Sequence, residues 1–98
     1  MSRNRFRLAD LPATVTVRFA VRDADGHPFD GATVVFSLSV PGQPTVVHQE
    51  VLEDGVARWV DAPIPREGAE RGAGFVTARA DLGPAVDVAE ATSPFIIR

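Results

Sequence analysis

The residues with the clearest potential for chemistry are three aspartates on a glycine-rich phrase between residues 23 and 32. Asp23, Asp25 and Asp30 could offer calcium the carboxylate oxygens that it prefers on a flexible turn. An EF-hand loop would next require a ligand two residues after Asp25 and a glutamate at its twelfth position, where this chain has His27 and Val34. Aspartate and glycine also serve turns for backbone reasons alone. The phrase therefore predicts a turn, and we expect neither a calcium site nor a cofactor.

Histidine and cysteine chemistry is equally sparse. The chain has no cysteine and two histidines, His27 and His48, which are far apart in sequence. A zinc site would need carboxylate ligands from distant loops. We expect both histidines to lie at solvated positions, and we expect no metal centre.

Serine-based hydrolysis lacks a motif. None of the serines lies in a Gly-x-Ser-x-Gly elbow, and Ser37 and Ser39 alternate with Phe36 and Leu38. A triad of Ser39, His48 and an aspartate is compatible with the sequence but has no supporting pattern. The chain is therefore predicted not to be an enzyme.

The elements around these residues are predicted to be strands. Apolar residues alternate with polar ones on both sides of the 23–32 phrase, which is typical of half-buried strands. No stretch has a sustained helical period. Seven short runs, at about 14–21, 33–40, 45–52, 56–61, 75–81, 85–91 and 94–98, predict an all-β, seven-stranded, Greek-key, immunoglobulin-like β-sandwich.

The apolar side of these runs predicts the core, with Trp59 pointing inward. A tight Asp-Gly turn is predicted at residues 53–55. Residues 62–74 are the longest stretch without a strand pattern. The predicted core residues are Val15, Val17, Phe19, Val21, Val34, Phe36, Leu38, Val40, Val51, Trp59, Val76 and Ala78.

The length and net charge of the chain limit the number of domains and the classes of partner that we expect. The chain has 98 residues, enough for one domain with one core, and a net charge of −3, so we expect no nucleic-acid partner. No apolar stretch approaches the length of a membrane span, so no membrane insertion is expected. We divide the chain into an extended N-terminal arm, residues 1–12, and an immunoglobulin-like domain, residues 13–98.

Two segments are candidate interaction sites. The arm carries Arg3, Arg5, Phe6, Arg7 and Leu8, and it is either solvated or docked on a neighbouring subunit or acidic surface. The loop after the fourth strand is either a recognition loop or a flexible, solvated connection, because long loops in compact domains are often functional. Its candidate residues are Arg66, Glu67, Glu70 and Arg71.

A family resemblance accompanies these motifs. The phrase Val21 to Phe36, with its Asp-x-x-Gly-x-Pro-x-x-Gly turn, resembles the opening hairpin of bacterial immunoglobulin-like domains of the invasin/intimin type. The runs Asp54-Gly-Val-Ala57 and Val76-Thr-Ala78 are similar to that family's Asp-Gly-x-Ala and Val-Thr-Ala, and the resemblance covers about residues 13–98. The carboxypeptidase-regulatory and transthyretin-like domains share the hairpin more distantly. Family members usually occur as repeats in long secreted adhesins, whereas from the initial methionine we expect this chain to stand alone, and we expect its 62–74 loop to be longer than the family's.

The resemblance implies a non-enzymatic structural or adhesion module that contacts proteins at a bacterial surface or in an extracellular assembly. It carries over no catalytic residues. The alternative is a self-assembling subunit of a pilus, sheath or virion surface joined through the N-terminal arm. A third hypothesis is a carbohydrate- or calcium-binding domain that uses the 23–31 turn and the 63–74 loop. A protein partner or self-association is expected, and a small-molecule ligand is not.

Overall fold

The chain folds into two packed layers of β-sheet. The structure, a computed structural model, describes residues 1–23, 25–82 and 89–98. Its elements are β1 (Arg5–Phe6), a 3-10 helix (Leu8–Asp10), β2 (Ala13–Ala20), β3 (Thr33–Ser39), β4 (Val46–Val51), β5 (Val56–Ile64), β6 (Gly72–Ala80) and β7 (Ala89–Ile97). The prediction of an all-β sandwich is confirmed.

The layers are unequal in size. Among the described residues, one sheet has the order β1-β7-β6-β3-β4, and the other contains β2 and β5. The β1–β7 pair is parallel and every other pair is antiparallel. The inner faces of both sheets form one core because side chains alternate between the two faces of a strand.

The predicted core is confirmed except at one residue. Val51 is wrong: its exposed fraction is 51%, and the next residue, Leu52, is buried instead. Alternation along β4 turns Val47 and Val51 to the outside, while His48 and Glu50 face the other sheet and are half-buried. Because β4 is the edge of its sheet and the described part of the opposite layer has two strands, the inner face of β4 is only partly covered and can carry polar residues.

The phrase at residues 21–32 joins the two layers. The resemblance led us to expect a hairpin between the strands on either side of it. That expectation is wrong, because β2 pairs with β5, whereas β3 pairs with β4 and β6. The Val21 amide donates to the Gly55 carbonyl at 2.8 Å, and the Gly31 amide donates to the Leu52 carbonyl at 2.9 Å. The phrase is thus held against the segment that connects β4 to β5.

The Asp-Gly turn lies in that same connection, as predicted. Asp54 and Gly55 both have positive φ, at 52° and 77°. The Glu53 amide and the Val56 carbonyl bond at 2.9 Å, and the reverse bond measures 3.0 Å. These are the features of a two-residue type I′ turn.

Strand pattern extends further than the sequence indicated. The stretch 62–74 was expected to lack it, but β5 continues to Ile64 and β6 begins at Gly72, which leaves a loop of residues 65–71. Pro63 is accommodated because, in the part of the chain that the structure describes, β5 has β2 as its single partner and is therefore an edge strand. The predicted final strand, 94–98, is part of β7. Most of the predicted strand at 85–91 lies outside the described residues.

Within the described part of the chain there is no helix of sufficient length and apolar character to cross a membrane.

Candidate interaction surface at one end of the sandwich

The strand pairing brings the two candidate segments to the same end of the molecule. Gly72, which follows the 65–71 loop, pairs with Ile97 near the C-terminus. The Leu8 amide donates to the Arg98 carbonyl at 2.8 Å. We call this region the basic end, defined as residues 3–10, residues 65–71 and Arg98. Nothing in the sequence periodicity indicated that these segments would be neighbours.

The N-terminal segment is hydrogen-bonded along its length to its own sandwich. The Ser2 amide donates to the Thr16 carbonyl on β2 at 2.9 Å, and the Ile96 amide donates to the Asn4 carbonyl at 3.0 Å. A further bond of 2.9 Å joins the Arg98 amide to the Phe6 carbonyl. The segment thus begins on one layer and crosses to the other.

Phe6 and Leu8 have their apolar surface turned toward the core. The exposed fraction of Phe6 is 2%, and its ring meets Phe95 edge to face, with centroids 5.8 Å apart. Leu8 is half-buried against the same core. Of the candidate residues in this segment, the arginines are therefore the ones that present their side chains to solvent.

These arginines surround a shallow depression. Its volume is about 160 Å³, and its lining consists of Arg3, Arg5, Phe6, Arg7, Asp10 and Arg98. The Arg3 guanidinium lies over the Phe6 ring, 4.7 Å from its centroid, and its Nε donates to the Arg5 carbonyl at 3.2 Å. Guanidinium groups present planar pairs of donors that match carboxylates and phosphates. The depression has the chemistry to bind an anionic group, although the chain as a whole is acidic.

The 65–71 loop is anchored by a side chain of the neighbouring turn. Gln43 Nε2 donates to the carbonyl of Pro65 at 2.6 Å and to that of Glu67 at 2.9 Å. The Glu70 amide donates to the Pro41 carbonyl at 2.9 Å. The anchored loop exposes its charged side chains, which are Arg66, Glu67, Glu70 and Arg71. Of the two expectations for this loop, these contacts favour a shaped surface over a flexible connection.

A second depression at this end is apolar. It has a volume of about 490 Å³ and lies where β2 begins and β5 ends. Its lining includes Pro12, Pro63 and Pro65, and the Leu11–Pro12 peptide bond is cis. The convergence of these prolines depends on the β2–β5 register, which sequence spacing does not reveal.

The aspartates at residues 23–30 serve the local turn, which lies at the opposite end of the sandwich. Asp23 Oδ1 accepts hydrogen bonds from the amides of Asp25, at 2.9 Å, and His27, at 2.8 Å. Asp30 Oδ1 accepts from the Asp54 amide. Possible ligand atoms of Asp23, Asp25 and His27 lie within 4.8 Å of one another, but all three residues are exposed. The hydrogen bonds account for this arrangement without a metal ion.

His48 lies in a different environment from the one expected. It is not simply solvated: its ring stacks on Trp59, with centroids 4.9 Å apart and an interplanar angle of 11°. Its Nε2 lies 2.8 Å from Glu50 Oε1. Ser39 is on the other face of the five-stranded sheet, where its hydroxyl lies 3.4 Å from that of Thr45. The structure therefore does not bring Ser39 and His48 together as a catalytic pair.

The chain matches no protein-family model and no curated protein sequence.

Proposed function

We propose that this chain is a non-enzymatic, immunoglobulin-like module that binds a protein partner through its basic end. The observation that carries the proposal is the convergence there of exposed arginines, an anchored charged loop and an apolar depression. Guanidinium groups beside a concave apolar surface suit a protein that offers acidic side chains around an apolar one.

The strand order supports the immunoglobulin-like assignment. Immunoglobulin domains pair their second and fifth strands in one layer and place their third, sixth and seventh strands in the other, with additional edge strands in variable-type domains. Here β2 pairs with β5, and the order β7-β6-β3-β4 in the second layer corresponds to the GFC sheet with one additional edge strand. The Asp54-Gly55 turn lies in the run that is similar to the invasin/intimin Asp-Gly-x-Ala, whereas β2 and β3 do not form the hairpin that the same resemblance implied.

An adhesion or spacer role at a bacterial surface or in an extracellular assembly rests on that resemblance. The alternative, self-assembly through the N-terminal arm, would require β1 to leave its own chain, because Phe6 is buried in the core. The hypothesis of carbohydrate or calcium binding uses the 23–31 turn together with the loop that the structure bounds at residues 65–71. These two segments lie at opposite ends of the sandwich, so they do not form one site. We therefore favour the protein-binding role.

Site-specific photo-cross-linking in the native host tests this role. A photoreactive amino acid replaces Glu67 at the basic end or, as the matched control, Asp25 at the opposite end. We expect a discrete protein adduct from position 67 and none from position 25. Replacing Arg3, Arg7 and Arg71 with serine should remove that adduct, whereas the same change at Arg18, Arg58 and Arg79 should preserve it. An absence of adducts from position 67, or adducts unaffected by the arginines of the basic end, would refute the proposal.

A further inference from the structure

The outer edge of β4 is an open strand edge. This strand is the last in its sheet and pairs only with β3. The Leu52 amide donates to the Ala32 carbonyl at 2.9 Å, so the backbone groups at position 52 face β3. Because these directions alternate along an antiparallel strand, the N–H and C=O groups of Val47, Gln49 and Val51 point away from the sheet. No other strand among the described residues pairs with them.

The side chains along this edge provide little protection against pairing. Natural edge strands are guarded by lysine, proline, a bulge or an inward-pointing charge. On β4, Val46, Val47 and Val51 have exposed fractions of 40%, 60% and 51%. The strand has one inward-pointing carboxylate, Glu50, and it is bonded to His48 of the same strand. The edge therefore combines free hydrogen-bonding groups with exposed apolar surface.

The strand is also complementary to itself in the antiparallel direction. When two copies are aligned about Gln49, Val47 lies opposite Val51 of the second copy and His48 lies opposite Glu50 of the second copy. This register places apolar side chains opposite apolar ones and the imidazole of one copy opposite the carboxylate of the other. Such cross-strand pairs stabilise a sheet, whereas like charges directly opposite each other destabilise it.

The neighbouring registers lack this complementarity. An alignment about His48 places Val47 opposite Gln49 and His48 opposite itself. An alignment about Glu50 places two carboxylates opposite each other. Alignments centred between residues pair an outward-pointing backbone with one that points inward, so they cannot form the ladder.

From this pattern we propose that two copies of the chain associate through antiparallel pairing of β4, with the two-fold axis at Gln49. The two five-stranded sheets become one continuous sheet. The paired residues exchange about six backbone hydrogen bonds, two for each hydrogen-bonded pair. This interface uses a lateral edge, so it goes beyond the proposed function and leaves the basic end of each copy free.

The first experiment measures the absolute mass of the 98-residue chain by light scattering over a range of concentrations. We expect a transition from one chain to two chains. Gln49→Lys places two ammonium groups across the axis and should weaken the association at least tenfold. Val60→Lys adds the same charge to β5, where Val60 is 62% exposed, and should leave it unchanged. Circular dichroism checks that both variants are folded.

Cysteine cross-linking determines the register, because the chain has no cysteine of its own. Gln49→Cys should form a disulfide-linked dimer under mild oxidation. Val47→Cys alone should not, but a mixture of Val47→Cys and Val51→Cys chains should. A mass of one chain at every concentration, or equal association of Gln49→Lys and the wild type, would overturn the proposal. So would self-cross-linking of Val47→Cys as fast as that of Gln49→Cys.

The outcome is separable from that of the proposed function. Replacing Arg3, Arg7 and Arg71 with serine should leave self-association through β4 intact, because these residues are not on that edge. Loss of the dimer in this variant would assign the association to the basic end and overturn the β4 interface.

Discussion

Truncation of Phe6 measures whether the N-terminal segment belongs to the folded domain. In a free arm, Phe6→Ala would change the free energy of unfolding by no more than about 0.5 kcal/mol, as surface substitutions usually do. In the structure the Phe6 side chain is 2% exposed and packs edge to face on Phe95. Removing a buried phenylalanine costs about 3–5 kcal/mol, which includes the cavity left behind. We therefore expect a loss in that range.

The assay is urea unfolding followed by tryptophan fluorescence, because the chain has a single tryptophan, Trp59, in its core. A small domain has about 5–15 kcal/mol of stability, so a loss of this size is a large fraction of the total and lowers the urea midpoint strongly. Arg5→Ala is the matched control: it lies in the same two-residue strand, and its side chain is exposed. It should change stability by less than about 1 kcal/mol. A Phe6→Ala variant as stable as Arg5→Ala would refute the reasoning that ties this segment to the core.

Three other substitutions test separate contacts. Gln43→Ala removes both hydrogen bonds that anchor the 65–71 loop. We expect the free energy of unfolding to fall by about 1–3 kcal/mol and the loop to be cleaved faster in limited proteolysis. Unchanged cleavage would contradict the anchoring. Asp23→Ala removes the acceptor of two backbone amides, so we expect the free energy of unfolding, measured by thermal denaturation, to fall by about 1–2 kcal/mol. If millimolar calcium stabilised the wild type but not this variant, the result would instead favour a metal site. At Gly74 an added Cβ would collide with the Phe95 ring, so Gly74→Ala should destabilise the fold by about 1–3 kcal/mol in urea, and a neutral effect would show that the core can relax there.

The strands with clear alternation could be predicted from sequence. β2 and β3 place an unbroken apolar set on the buried face, and apart from Ala20 and Val35 the residues on the other face are polar, so their core residues follow from the period of two. The Asp54-Gly55 turn was also predictable because few residues tolerate two successive positive φ angles. These are local properties of the chain.

The partners of the strands could not be predicted in the same way. β2 pairs with β5, which is distant in sequence, and no local pattern records that register. β4 has valines on both faces, so its phase was ambiguous, and Val51 was placed inside wrongly. β1 has only two residues, too few for any period to be visible.

The residues of the candidate site could be predicted from sequence, but their arrangement into one surface could not. Its arginines and its charged loop were recognisable as unusual segments. Their meeting at one end depends on the pairing of β6 with β7, and the anchoring role of Gln43 depends on two loops that approach each other only in the fold. The stacking of His48 on Trp59 likewise joins different sheets.

The parallel pairing of β1 with β7 has a consequence for mechanical load. A force that pulls the two termini apart draws β1 and β7 in opposite directions along their length. The bonds from Ile96 to Asn4, from Arg98 to Phe6 and from Leu8 to Arg98 lie across that direction. They are therefore sheared together and must break nearly at once, whereas bonds at the end of a hairpin open one after another. We therefore expect β1, the short strand that the sequence did not reveal, to resist a force that pulls the two termini apart.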